Sequence, residues 1–170
     1  MGAGIQNITI RHAEISDVPA ITSIYNHYIQ TSTSTFEETI LSEKELAIRL
    51  KNISEKYVWL VGLVNNEVIG YAYAAQWKTR SAYRLTVETS IYLKHGTEGN
   101  GYGKALYQEL LQQVEELGYK CLIGGISLPN DASIKLHESL GFVKIGQFVK
   151  VGLKFGKWID VGYWERRVND

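Results

Sequence analysis

The stretch from Thr97 to Tyr107, "TEGNGYGKALY", places Gly99, Gly101 and Gly103 directly before an amphipathic run. A glycine-rich turn that opens a helix binds anions. The first backbone N–H groups have no helical partner, the helix dipole adds positive potential, and glycine lets a ligand come close to the main chain. The spacing narrows the choice of ligand. A P-loop needs G-x-x-x-x-G-K-[ST]; counting back from Gly103-Lys104, its first glycine would fall on Glu98, and Ala105 has no hydroxyl for Mg²⁺. A dinucleotide fingerprint needs G-x-G-x-x-G in a βαβ unit, whereas this loop reads G-x-G-x-G after a hairpin-built region. A tight turn with no ligand remains the competing reading.

Just upstream, "LTVETSIYL" alternates. Leu85, Val87, Thr89, Ile91 and Leu93 share one face, and Thr86, Glu88, Ser90 and Tyr92 the other. A carboxylate among hydroxyls in mid-strand either pairs with a lysine or arginine, or lines a cleft and accepts a proton. In the second case partial desolvation raises its pKa and improves it as a base near neutral pH. His137 shares a stripe of a short helix with Asn130 and Ile134. A lone histidine on an apolar face is usually a satisfied core residue, but an imidazole can also donate a proton near pH 7. His12, His27 and His95 show no metal-ligand spacing, so no metal is expected. The single cysteine, Cys121, lies in the apolar run "KCLIGGI" and reads as a buried thiol; alone it forms neither an intrachain disulfide nor a multi-cysteine zinc site.

The elements that must position these groups follow from periodicity and caps. "NITIRHA" alternates as a strand, and "ISDVPAITSIYNHYIQ" is a helix that Ser16 or Asp17 can cap, with a stripe of Val18, Ile21, Ile24 or Tyr25, and Tyr28. "SEKELAIRLKNI" opens with a capping box, Ser42 with Glu45, and continues through Leu46, Leu50 and Ile53. "YVWLVGLV" and "EVIGYAYAAQW" form a hairpin about Asn65-Asn66, and "YRLTVETSIYL" is a third, long strand. A helix from about Gly101 to Leu117 buries Leu106, Leu110, Val114 and Leu117, and Gly118 suits its end. "KCLIGGI" is a strand, "NDASIKLHESLG" a helix capped by Asn130 and ended by Gly141, and "FVKIGQFVKVG" with "WIDVGYWERRV" a closing hairpin. The order β-α-α-β-β-β-α-β-α-β-β predicts an α/β chain whose mixed sheet carries helices on both faces.

With 170 residues, 45% hydrophobic and 21% charged, the chain reads as one domain, 1–170, of ordinary globular composition. Eighteen basic residues balance eighteen acidic ones, giving no reason to expect nucleic acid or an anionic membrane as partner. No apolar run reaches the roughly 18 residues of a membrane helix, and the N-terminus lacks a signal peptide's apolar segment. Gly2 makes no myristoylation signal, because Gln6 stands where Ser or Thr is wanted. The cytoplasm is the expected compartment.

The glycine loop resembles the pyrophosphate loop of the GNAT superfamily of N-acetyltransferases, [QR]-x-x-G-x-[GA], which falls here on Glu98-Gly99-Asn100-Gly101-Tyr102-Gly103. "NDASIKLHESLGF" matches a second feature of that superfamily. "AAQWKTRSAYRLTVETSIYL" and "STSTFEE" resemble its phosphinothricin acetyltransferase group. The resemblance covers nearly the whole chain. It implies a mostly antiparallel mixed sheet of about seven strands, splayed at the centre, and acetyl-CoA as cosubstrate. It puts the pyrophosphate on the amides from Gly99, Asn100, Gly101, Tyr102 and Gly103 to Lys104, with Asn130 also on the cofactor side, and the pantetheine arm along Ile91, Tyr92 and Leu93. For catalysis it implies Glu88 as base and His137, or water, as the proton donor to the thiolate. A small amino acid with a tetrahedral, oxygen-rich side group is the implied substrate. Lys78 and Arg80 clamp its carboxylate, Tyr83 adds a hydroxyl and Phe36 an apolar wall, although Lys78 and Arg80 also fit a solvated loop.

Other readings are an acetyltransferase for polyamines, aminoglycosides or peptide N-termini, and a noncatalytic acyl-CoA sensor. The basic "WKTRSAY" disfavours cationic substrates. Relatives in this group are often homodimers, and Phe155, Trp158, Tyr163 and Trp164 of the last hairpin either make an interface or pack in the core. Glu98 departs from the superfamily pattern, which has Arg or Gln there. If its carboxylate turns to solvent, screening leaves an effect under about 1 kcal/mol, with Lys94 and Lys104 near enough in sequence to offset it.

Overall fold

The computed structural model describes residues 7–168; Gly2, Gln6 and the extreme ends of the 1–170 chain lie outside them. Seven strands form one sheet: β1 (Thr9–His12), β2 (Trp59–Val64), β3 (Glu67–Gln76), β4 (Thr86–Leu93), β5 (Cys121–Leu128), β6 (Val143–Lys154) and β7 (Lys157–Arg167), in the order β1-β2-β3-β4-β5-β7-β6. The helices are α1 (Val18–Thr31), α2 (Glu43–Ser54), α3 (Tyr102–Glu116) and α4 (Asp131–Ser139). The order of elements is the expected one, and helices cover both faces.

Local chemistry accounts for most of the boundaries. Ser42 and Glu45 close the capping box of α2, and Asn65 and Asn66 take positive φ of 51° and 64° in the β2–β3 turn. The Asn130 side chain accepts the Ser133 amide to start α4, and Gly118 and Gly141 take the left-handed conformation after α3 and α4. Two expectations fail at helix ends. Asp17 occupies the N-cap of α1 without capping it by its side chain; the carboxylate instead accepts a bidentate pair of bonds from Arg11, 2.7 and 2.9 Å, and the Glu14 amide. Leu117 is 61% exposed, since the stripe of Leu106, Leu110 and Val114 meets the sheet only as far as the strand ends. Leu85, at that same rim, is also exposed, and β4 begins one residue later.

Every strand pair is antiparallel except β4–β5, which are parallel and pair only from Thr86–Glu88 to Cys121–Ile123. Beyond that point β3 keeps hold of β4 as far as Leu93, while β7 keeps hold of β5 as far as Leu128. The two centre strands diverge and open a wedge in the sheet. One core, on the α3 side, joins Leu60, Ala72, Val87, Leu106, Leu110 and Leu122; the other, under α1 and α2, joins Ile21, Ile24, Leu46, Leu50, Trp59 and Tyr71. On the closing hairpin, Trp164 is core and donates to Glu138, and Tyr163 packs edge-on against Trp77. Of the four aromatic residues named there, Phe155 and Trp158 are the exposed ones.

Candidate active site

The wedge holds a cleft of about 400 Å³. One wall is the β4 edge from Thr89 to Leu93, the other is Gly125 to Ser127 of β5, and the glycine loop and α4 close its ends. Gly96, Gly99 and Gly101 have φ of 87°, 81° and 80°, and a Cβ at any of the three would meet nothing within 4 Å. Backbone conformation, not crowding, therefore demands glycine there. Gly103 differs: inside α3, its missing Cβ would lie 3.2 Å from Leu93, so it allows the helix to approach β4. Gly101 is the N-cap and offers no side chain to the first-turn amides, which leaves them and the helix dipole to whatever anion enters the cleft.

Lys104 lines the cleft, whereas Asn100 turns its amide onto the carbonyls of Thr97 and Glu98, and Tyr102 stays outside the lining. Glu98 does not turn to solvent alone. Its carboxylate folds back to accept the Gly96 amide at 2.7 Å and lies 3.8 Å from His95 Nδ1, still at the cleft mouth. Lys94 is ion-paired with Glu67, so of the two lysines expected to offset Glu98, only Lys104 faces the cleft.

Glu88 projects from the face of β4 opposite α3. Among the described residues its carboxylate has no hydrogen-bond or ion-pair partner, and burial raises its pKa, partly offset by the Lys78 ammonium. A Cβ on Gly125 would sit 3.5 Å from Glu88 Oε1 and 3.3 Å from the Tyr163 ring. Bare glycine thus lets both side chains close on β5, and Gly125 itself lines the cleft. The structure brings Glu88 and Lys78 into electrostatic range, with the Lys78 ammonium 4.8 Å from the Trp77 ring centroid. Arg80 and Tyr83 are exposed around a 3₁₀ turn, Ser81–Tyr83, and Phe36 rests over Gly152 of β6; none of these three lines the cleft.

His137 is 4% exposed and seated on Gly124, whose Cβ would come 2.6 Å from Nε2. Its Nδ1 lies 2.8 Å from the Ser133 carbonyl, which can only accept, so Nδ1 carries the proton. In the neutral ring Nε2 accepts the Tyr107 hydroxyl at 3.0 Å, and that hydroxyl shares a second hydrogen bond, 2.6 Å long, with Thr89. Burial also depresses the His137 pKa. With the ring neutral, the form its burial favours, Nε2 is an acceptor and no imidazole proton points into the cleft. Tyr107, Gly124, Gly125 and Tyr163 carry this geometry and were absent from the sequence-derived site. Cys121 is half-buried, its thiol 3.8 Å from Glu165, and burial raises its pKa away from reactivity.

A splayed β4–β5 pair, an uncapped helix start behind a glycine loop and a desolvated carboxylate at the notch together describe an acyl-CoA-dependent transferase. The chain belongs to the GNAT acetyltransferase family, whose domain model matches residues 10–162, and it is an acetyl-CoA-dependent N-acetyltransferase. It is 42% identical over 159 residues to the phosphinothricin N-acetyltransferase of Streptomyces viridochromogenes, covering 94% of this chain and 87% of that one. It is 35% identical to the L-methionine sulfoximine/L-methionine sulfone acetyltransferase of Salmonella typhimurium, covering 96% of each. The crystal structure of a GNAT phosphinothricin acetyltransferase from Sinorhizobium meliloti in complex with acetyl-CoA superposes with a TM-score of 0.93 at 39% identity, over 95% of this chain and 89% of that one.

Proposed function

We propose that this acetyltransferase acetylates the α-amine of small amino acids that carry a tetrahedral, oxygen-rich side group, with phosphinothricin, methionine sulfoximine and methionine sulfone as the substrates to test first. The names of the relatives support the substrate class. The observation that carries the chemistry is Glu88: a desolvated carboxylate without a hydrogen-bond or ion-pair partner among the described residues, one glycine away from the cleft and within the field of the Lys78 ammonium.

The donor fits the cleft from its own residues. The amides from Gly99 to Lys104 hold the diphosphate, and the free β4 edge at Ile91, Tyr92 and Leu93 pairs with the amide-bearing pantetheine arm. When bound, acetyl-CoA supplies an activated acyl group. Lys78 and Arg80 hold the substrate carboxylate, with Tyr83 and Phe36 around it. Glu88 removes one proton from the substrate ammonium, and the freed nitrogen attacks the thioester carbon. A main-chain N–H on the β4 edge polarises the carbonyl oxygen. The C–N bond forms, the C–S bond breaks, and the nitrogen's surplus proton passes to solvent water in the cleft. Water in the open cleft protonates the thiolate. His137, through Tyr107 and Thr89, keeps polar groups fixed along the cleft wall. Most of the acceleration comes from holding two reactants in one geometry.

A thiol-release assay over phosphinothricin, methionine sulfone, methionine sulfoximine, spermidine and a short peptide tests the reading. Turnover confined to the first three supports it; preference for spermidine or the peptide overturns the substrate class, and acetyl-CoA binding without turnover on any amine overturns the enzymatic role. We further propose a homodimer built on the β6 edge, where Val143, Ile145, Phe148, Val149, Val151 and Leu153 are exposed in a row that water alone does not favour. Sedimentation equilibrium at the monomer mass would remove it.

A further inference from the structure

Lys154, at the end of β6, is a lysine only 1% exposed. Its ammonium donates to the Ser32 carbonyl at 2.7 Å and the Thr35 carbonyl at 2.8 Å, both in the loop between α1 and α2. Two residues earlier, a Cβ on Gly152 would fall 2.4 Å from the Phe36 ring, so the ring is seated on bare backbone. One strand end therefore grips this loop twice, by charge-assisted bonds to its main chain and by a flat seat for its aromatic residue.

The loop's remaining ties run mostly to the helices. Tyr25 shares a hydrogen bond with Thr35 at 2.8 Å, and Glu37 takes Arg49 bidentately at 3.0 and 2.7 Å. The other side-chain bonds to the sheet, Tyr92 to Ser34 and Ser127 to Thr33, are long at 3.4 Å each. Among the described residues, Lys154 is thus the short, strong side-chain tie between the Phe36 loop and the sheet. Stability alone gives little reason for a lysine here. Burying an ammonium is costly, and a methionine of similar length would fill the space without that cost. What an apolar side chain cannot do is fix two carbonyls in place.

We propose that Lys154 is a positioning residue for the amino-acid acceptor: it fixes the loop at Ser32 and Thr35 so that Phe36 stands over Gly152 as one wall of the acceptor site. The inference rests on the reading that Phe36 walls that site. Lys154 and Gly152 line neither the glycine loop nor the cleft, and the loop they hold reaches the cleft only through Ser34 among the described residues, so the acetyl donor should sense them far less than the acceptor does.

The experiment measures KM for both substrates in Lys154→Met, Gly152→Ala and Phe36→Ala, with amide exchange over residues 32–37. Lys154→Met is expected to raise the acceptor KM on the order of tenfold, with KM for acetyl-CoA within about twofold of the parent and faster exchange in the loop. General loosening of the fold would not raise one KM selectively. Gly152→Ala displaces the ring without touching the lysine and should give the same KM split; it carries the test if Lys154→Met fails to fold. An acceptor KM unchanged within about twofold in the folded variants overturns the proposal. Phe36→Ala then locates the fault: a raised acceptor KM there removes only the brace, and an unchanged one removes Phe36 from the acceptor site as well.

Discussion

The imidazole of His137 rests on the backbone of Gly124, so closely that a Cβ there would lie 2.6 Å from Nε2. That atom is the one that accepts the Tyr107 hydroxyl. Gly124→Ala must therefore push the ring off its seat and break the Thr89–Tyr107–His137 chain. Overpacking of this kind costs about 1–3 kcal/mol, and thermal unfolding should register the loss. Turnover should fall as well, because Thr89 and His137 line the cleft. Thiol release at a temperature where the variant is fully folded checks this second part; a parental rate there would show that the chain is not used.

Glu88→Gln separates catalysis from stability. Removing a general base should lower kcat on the order of 10²- to 10⁴-fold while leaving acetyl-CoA affinity close to the parent's. The folded carboxylate titrates above its ordinary value of 4.5 because it is desolvated. The native state thus holds this proton better than the unfolded chain does, and that advantage is lost as pH rises through the raised value. At neutral pH the ionised group is a cost to the fold. The Gln variant should accordingly melt at or above the parent temperature at pH 7, and kcat/KM of the parent should fall on acidification below a pKa higher than 4.5.

The parts of this geometry that were legible in the sequence are the local ones. The Ser42–Glu45 box, the Asn65–Asn66 turn and the caps at Asn130 and Gly141 act within a few residues of themselves, and Glu88 and His137 stood out because their types conflict with their periodicity. Tyr107 did not, since it continues the buried stripe of Leu106 and Leu110 and looks like core. Gly124 and Gly125 carried a weak signal: glycine inside a strand marks close approach of something else. What approaches, an imidazole on one face and a carboxylate with a tyrosine on the other, is set by α4, β4 and β7, and no local pattern contains it. Lys154 is hidden for the same reason, because its partners are 119 and 122 residues away.

Stability should fall in mild acid partly through His137. Burial depresses its pKa below 6.5, so as pH falls the unfolded chain takes up this proton first. Unfolding free energy then declines from about pH 6.5 down to the lower folded value, and is flat below it for this group. Paired carboxylates such as Asp17 and Glu37 titrate at lower pH and contribute their own slope. Denaturant melts of the parent and His137→Gln at several pH values isolate the histidine: the difference in slope between them should vanish above pH ~7. Equal slopes throughout would mean that the imidazole takes up its proton alike in the folded and unfolded states, unaffected by its burial.

Arg80 is exposed beside the 3₁₀ turn and free to reach a substrate carboxylate. A bidentate clamp acts on substrates that have the carboxylate and on no others. Arg80→Ala should raise KM for amino-acid substrates by about tenfold or more, and KM for simple amines hardly at all. Equal effects on both classes would show that Arg80 is not the clamp.

Glu98 stands where related loops carry a cation or an amide, and its carboxylate remains at the mouth of the anion site while bound to the Gly96 amide. The charge opposes the diphosphate, whereas the tether helps to shape the loop. Glu98→Gln removes the first and keeps an acceptor for the second. KM for acetyl-CoA should drop about two- to fivefold at low ionic strength, the size expected for a half-exposed charge. In roughly 0.5 M salt, where the screening length is only a few ångströms, the gain should nearly disappear. Glu98→Ala loses the tether together with the charge and should bind acetyl-CoA no better than the parent. If Gln and Ala gave the same improvement, the bond to Gly96 would have no part in forming the loop.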